Sequence, residues 1–245
     1  MHLGAQYMAA SAVCFNAPSD DDRHTSLHWN PDVHSLQLDL PSKELRLGLS
    51  YSKFALEFRK VSNALIETME LAGRSHEEIV AWIRTVLGQQ FRFEIHYKIP
   101  YSYPEEGFRF DEIDNDQMAD LRSKRELAND ALEAFRLNLN DPSPVCTWPH
   151  HFDTSVSENL GNGQFMGFGM AIPDEMVSEF YFYAYAYDGN NPVNVDGLQD
   201  PGKGEWVTSK NFKGAVMSAA NADKASVMSF FYTCHKLLNE RLLVS

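Results

Sequence analysis

Leu36-Gln37-Leu38-Asp39-Leu40-Pro41-Ser42-Lys43-Glu44-Leu45-Arg46-Leu47-Gly48-Leu49 decides the fold of this chain. Leucine stands at every second position on either side of Pro41-Ser42-Lys43. Side chains of an extended strand alternate between two faces, so this pattern predicts a hairpin with one buried face. Working outward, the alternation resumes at Phe54, Leu56 and Phe58 opposite Glu57 and Arg59, and again at Leu65, Glu67, Met69 and Leu71. A four-stranded antiparallel meander follows.

Beyond it the period changes. Ser75 with Glu78 three residues later is a capping box, and Ile79, Trp82, Ile83, Val86 and Leu87 recur at helical spacing until Gly88. Phe91, Phe93, Ile95 and Tyr97 then alternate with charged residues, predicting a further strand that puts His96 on its wet side. Leu121, Ala128, Ala131, Leu132, Phe135 and Leu139 mark an amphipathic helix stopped by Asn140-Asp141-Pro142. Strands are expected at Val145 to Trp148, Phe165 to Ala171, Phe180 to Tyr187, Glu205 to Thr208 and Phe212 to Met217, and a last helix from about Asp223 to Leu243. Strands in clusters with segregated helices mean an α+β fold, here two subdomains sharing one core. The expected division is a loosely ordered N-terminal arm (1–31), a β-meander plus helix (32–99), an acidic connection (100–120) and a C-terminal α+β region (121–245).

With 245 residues, 44% of them hydrophobic, the chain can bury a full core. Its formal charge of −13 repels a phosphate backbone and an anionic bilayer, which argues against nucleic acid and membrane partners. No apolar run approaches the roughly 20 residues that span a bilayer. The first residues lack the basic stretch of a secretory signal. Three cysteines, Cys14, Cys146 and Cys234, form no CxxC pair. These features together suggest a soluble protein of a reducing cytoplasm.

Chemistry can concentrate at Trp148-Pro149-His150-His151-Phe152-Asp153. If this run is extended, His151 and Asp153 share a face and supply two legs of a 2-His-1-carboxylate site for a divalent metal, with His235 or His96 as the third. Equally, His151 can act as general base with Asp153 orienting it, and His150 beside them. The alternative is a structural turn forced by Pro149, with the imidazoles on backbone and Asp153 as its cap. On a strand Cys146 and His150 stand about 13 Å apart, too far for a nucleophile pair unless the chain turns back, and a buried inert thiol is the better reading of Cys146. Asp174 and Glu175 after Pro173 fit a carboxylate pair near His151, or the first turn of a short helix. Phe180 to Tyr187 sets Tyr181, Tyr183, Tyr185 and Tyr187 on one face, a floor for a sugar or aromatic ligand or a contact surface for another subunit. With Trp148, Asp174 and Glu175, Tyr181 and Tyr183 are the candidate lining of a small-molecule pocket. No GxSxG, GxxxxGK[ST], HExxH or GxGxxG pattern is present.

Ser143-Pro144-Val145, the Trp148 to Asp153 run, Pro173-Asp174-Glu175 and Glu179 to Tyr183 together resemble a family of bacterial proteins of unknown function. Its members carry W-P-H-H-F-D, then G-x-G-x-x-P-x-D-E, then a P-Y-F-Y strand. Trp206, Gly214-Ala215-Val216 and Leu71 to Ser75 extend the similarity over about residues 35 to 240, and Phe180 replaces the family's proline. The resemblance implies that His150, His151, Asp153, Asp174 and Glu175 work as a group; it supplies no reaction. Two functions remain open: a metal-dependent or His/Asp acid-base enzyme on a small molecule, and a non-catalytic binding or assembly module, possible as a homo-oligomer.

Overall fold

The structure, a computed structural model, describes residues 1–94, 104–105 and 107–243. The chain divides into two units, one of Met1–Ser123 with Thr147–Phe152, the other of Lys124–Cys146 with Asp153–Ser245. Among the described residues, two antiparallel sheets and four α-helices make the fold α+β.

In the first unit, β1 (His28–Asn30), β2 (Ser35–Leu40), β3 (Leu45–Ser50), β4 (Ala55–Lys60) and β5 (Leu65–Glu70) form a meander in sequence order. The alternating leucines set its register: Leu36 faces Leu49, Leu38 faces Leu47, and these continue to Leu56 and Phe58 on β4. All six are buried on one face. Strand β1 adds a fifth member to the four expected.

Residues 2–15, expected as loose chain, instead form α1 (His2–Phe15), which packs on β2 and β3. Its small residues explain both the helix and the absence of a helical signal in the sequence. Alanine has the best helix propensity, and a helix apolar all round shows no amphipathic stripe because it is buried all round. Gly4 to Ala12 are indeed buried without interruption. Helix α2 (His76–Leu87) starts as expected, with the Ser75 hydroxyl accepting from the Glu78 N–H and the Glu78 carboxylate accepting from the Ser75 N–H. The strand expected from Phe91 has no regular structure over Phe91 to Glu94. Its remainder, with His96, lies outside the described residues.

Helix α3 (Asn115–Arg136) begins inside the acidic connection and enters the second unit at Lys124. There β6 (Cys146–Thr147), β7 (Thr154–Gly161), β8 (Gln164–Ala171), β9 (Tyr181–Asp188), β11 (Glu205–Thr208) and β12 (Lys213–Ser218) form a sheet in the order β11-β12-β9-β8-β7-β6, with β10 (Asn191–Pro192) also on β9. Helix α4 (Lys224–Leu242) closes the chain's described part. One sheet face carries Val156, Met166, Phe168, Met170, Phe182, Ala184 and Met217 against Phe135 of α3 and Phe230, Phe231 and Leu238 of α4. The other face carries the tyrosines. Among the described residues no helix is long and apolar enough to cross a membrane.

Candidate functional site

The Trp148 to Asp153 run is not extended. The Phe152 N–H donates to the Trp148 carbonyl at 2.7 Å, and Phe152 has φ of 56°, in the left-handed region that closes turns. The strand geometry that would put His151 and Asp153 on one face is therefore absent, and this expectation is corrected. Residues through Phe152 belong to the first unit and Asp153 to the second.

The turn is held by α1. The Pro149 carbonyl, at a residue with no N–H of its own, accepts from His2 Nε2 at 2.8 Å and from Gln6 Nε2 at 2.5 Å. The His2 ring stacks on Phe152, 5.1 Å between centroids and 8° from parallel. Burial pushes the His2 imidazole down to about 4, outweighing the hydrogen bonds to backbone that favour its charged form. At neutral pH His2 is an uncharged Nε2–H donor. His150 lies between the rings of Trp148 (6.0 Å) and His151 (4.5 Å). His151 is exposed.

Asp153 is buried, and its carboxylate accepts the hydroxyl proton of Tyr183 on β9. Tyr183 sits in register with Gly169 of β8, which pairs with Ser155 of β7; Tyr185, Gly167 and Ser157 form the next row. A Cβ on either glycine would overlap the tyrosine ring beside it. The rings thus lie over bare backbone of the neighbouring strand, which is why two glycines occur in mid-strand. Burial, and then the Asp153 charge, raise the Tyr183 hydroxyl well above its ordinary value and push Tyr185 up to about 12. Both are neutral at any physiological pH. The rings of Tyr183 and Tyr185 stack at 5.9 Å and 17°, and Tyr187 stacks on Phe165 at 5.1 Å and 2°.

The Pro173-Asp174-Glu175 segment does not start a helix. Asp174 Oδ1 accepts from the Met176 and Val177 N–H groups at 2.8 and 3.0 Å, an Asx turn, while Oδ2 accepts from the Tyr181 hydroxyl at 2.6 Å. Burial, then this carboxylate, raise Tyr181 as well. Glu175 is exposed. Of the candidate carboxylates, Asp153 and Asp174 both meet the tyrosine face and Glu175 does not.

His235 is engaged elsewhere. Its Nε2 lies 2.7 Å from Oε2 of Glu158, a fully buried carboxylate on the core face of β7, whose Oε1 accepts from the Asn140 N–H at 2.8 Å. His235 is therefore the partner of a core carboxylate and not the third ligand expected. Glu158 carries no sequence signal of its own, because strand β7 shows only in the alternation of Thr154, Val156 and Glu158. Arg125 of α3, also missed, is buried and donates to the Thr154 hydroxyl. Cys146 and Cys234 are buried, and burial raises the Cys234 thiol. Among the described residues no group of three or more His, Cys, Asp or Glu side chains is placed to share a metal ion. Comparison of the chain with models of protein families, with curated proteins and with solved structures returned no match.

Proposed function

We propose that this chain is a non-catalytic binding module in which the Trp148 to Asp153 segment is structural and the tyrosine face of β9 is the contact surface. The observation that carries this reading is the pair of hydrogen bonds from His2 and Gln6 to the Pro149 carbonyl, which makes the segment a tethered turn. The hydroxyls of Tyr181 and Tyr183 are already spent on Asp174 and Asp153, so those rings are held in place. Next to them Tyr185, Tyr187, Phe165 and Phe212 are partly buried and linked by ring contacts. Rings fixed before binding lose little entropy on contact, which suits a planar small molecule or an apolar patch of a second copy. That Cys14, Cys146 and Cys234 form no disulfide with one another is in keeping with a reducing cytoplasm.

Metal analysis and thermal melting of protein purified without chelator test this reading. The expectation is substoichiometric metal, a His151→Ala variant with unchanged melting temperature, and a Gln6→Leu variant that melts several degrees lower. A stoichiometric metal that disappears in His151→Ala would overturn it and restore the enzyme reading.

A further inference from the structure

Strand β5 ends the first sheet, and among the described strands only β4 lies beside it. The Leu71 N–H donates to the Phe54 carbonyl at 2.9 Å, and the same register pairs Ala55 with Glu70, Leu56 with Met69 and Glu57 with Thr68. Hydrogen-bonded and non-hydrogen-bonded pairs alternate along an antiparallel ladder. Leu71 and Met69 therefore turn their backbone groups towards β4, while Thr68 and Glu70 turn theirs outward. Among the described residues no backbone group bonds to them there. An open edge of this kind is a template for another strand.

The edge is apolar at one end and acidic along its length. Val61, Leu65 and Ile66 are 57%, 47% and 41% exposed, three of the seven large apolar side chains that are exposed among the described residues. Their place within six consecutive residues makes this hairpin end the densest apolar spot on the surface, the mark of a contact site. The turn that carries them is fixed before any partner arrives. Arg46 Nη1 donates to the Val61 carbonyl and to Asn63 Oδ1, both at 3.1 Å, and Arg59 Nη1 donates to the Asn63 carbonyl at 2.8 Å. A surface already ordered loses little entropy on binding. Further along β5, Glu67 and Glu70 are exposed, and three residues apart on a strand they stand on opposite faces.

These two carboxylates decide what can add to the edge. The outward groups of two antiparallel copies meet only when the pair is centred on Thr68, Met69 or Glu70. The first centring sets Glu67 diagonal to Glu67 of the other copy, the second sets Glu70 diagonal to Glu70, and the third sets Glu70 directly opposite Glu70. Like charges so placed repel, and each copy carries a formal charge of −13. On a different chain, two cations three residues apart would meet both carboxylates, and apolar residues after the second would meet Leu65 and Ile66. We propose that the outer edge of β5 is a docking site for an extended basic segment of another protein, added to the sheet as a further strand with Lys or Arg against Glu67 and Glu70. Backbone bonds to Thr68 and Glu70 supply affinity and the charges supply selectivity. The site lies wholly in the first unit and is independent of the tyrosine face.

The test is a titration of the intact 15N-labelled protein with the end-capped peptide Thr-Lys-Val-Thr-Lys-Val-Val-Thr, read by calorimetry and by amide shifts. One control peptide has Glu for both Lys; the other is methylated at the backbone nitrogens of the residues set opposite Thr68 and Glu70. The expected result is saturable one-to-one binding of the basic peptide, shifts centred on the Thr68 and Glu70 amides, and at least tenfold weaker binding of either control. Glu67→Lys combined with Glu70→Lys should reverse the preference between the basic and acidic peptides. Thr68→Pro removes an outward N–H, which an edge strand tolerates, and should abolish binding while the melting temperature stays within a few degrees. The site is overturned by the absence of saturable binding, by equal binding of the basic and acidic peptides, by shifts centred away from β5, or by an edge-to-edge dimer that forms without peptide. Should Thr68→Pro fail to fold, the methylated peptide reads the same backbone bonds in the unmodified chain.

Discussion

The two sheets of this molecule treat their second faces in opposite ways. In the first unit the face away from the leucines is covered by short polar side chains around Gly48. In the second, the face away from the helices is covered by tyrosine rings laid over Gly167 and Gly169. Both devices bury a sheet face that periodicity alone would assign to water. They differ in tolerance: an atom added at Gly48 meets the end of one short side chain, Ser35 Oγ at 2.7 Å, whereas one added at Gly167 or Gly169 meets a ring.

The sharpest way to break this contrast is a pair of glycine substitutions. Gly169→Val drives a side chain into the Tyr183 ring and the Thr154 carbonyl. The expected loss in urea unfolding is about 3 kcal/mol, at the upper end for overpacking. Gly48→Ala meets the Ser35 hydroxyl, which must give up its hydrogen bond to the Leu36 carbonyl to make room, and is expected to cost about 1 kcal/mol, the loss of one hydrogen bond. Equal losses in the two variants would erase the distinction.

The histidines give the next test. His2 is held near 4 when folded against 6.5 in an unfolded chain, so the unfolded chain binds the extra proton. Its contribution is complete above pH 6.5 and is lost as the pH falls towards 4, on the order of 3 kcal/mol in all. Burial lowers His76 in the same direction. A His2→Gln variant, which keeps a donor for Pro149, should lose much of the slope of stability between pH 6.5 and 4. An unchanged slope would place the pH sensitivity elsewhere.

The smallest effects should be common to both units. Ser75 caps α2 and Asp223 caps α4 by the same reciprocal arrangement. Ser75→Ala and Asp223→Ala are each expected to cost about 1 kcal/mol, and a clearly larger loss in either would show that its helix end does more than begin a helix.

How much was legible follows from the range of each signal. The meander, α2, α3 and α4 were readable because apolar period and capping residues are local. The face assignment of the tyrosines was readable for the same reason. Helix α1 escaped because a uniformly buried helix has no polar side to betray it. Strand β7 escaped because Thr154-Ser155-Val156-Ser157-Glu158 places a carboxylate where alternation calls for an apolar residue, and only His235 and Asn140, distant in sequence, make that position possible. The Trp148 to Asp153 run stands out in the sequence, but nothing local fixes whether six such residues extend or turn.

Local residue pattern settles the α+β class, the order of most elements and which side of each strand is apolar, because those depend on neighbours two to four positions apart. Tertiary structure alone decided what the polar groups do. Whether Asp153 meets His151 or Tyr183, whether His235 waits for a ligand or holds Glu158, and whether Gln37 is satisfied or left with an idle donor depend on partners that the chain delivers from far along its length. A hydrogen bond closes only when those partners arrive within about 3 Å, and no local pattern encodes that arrival.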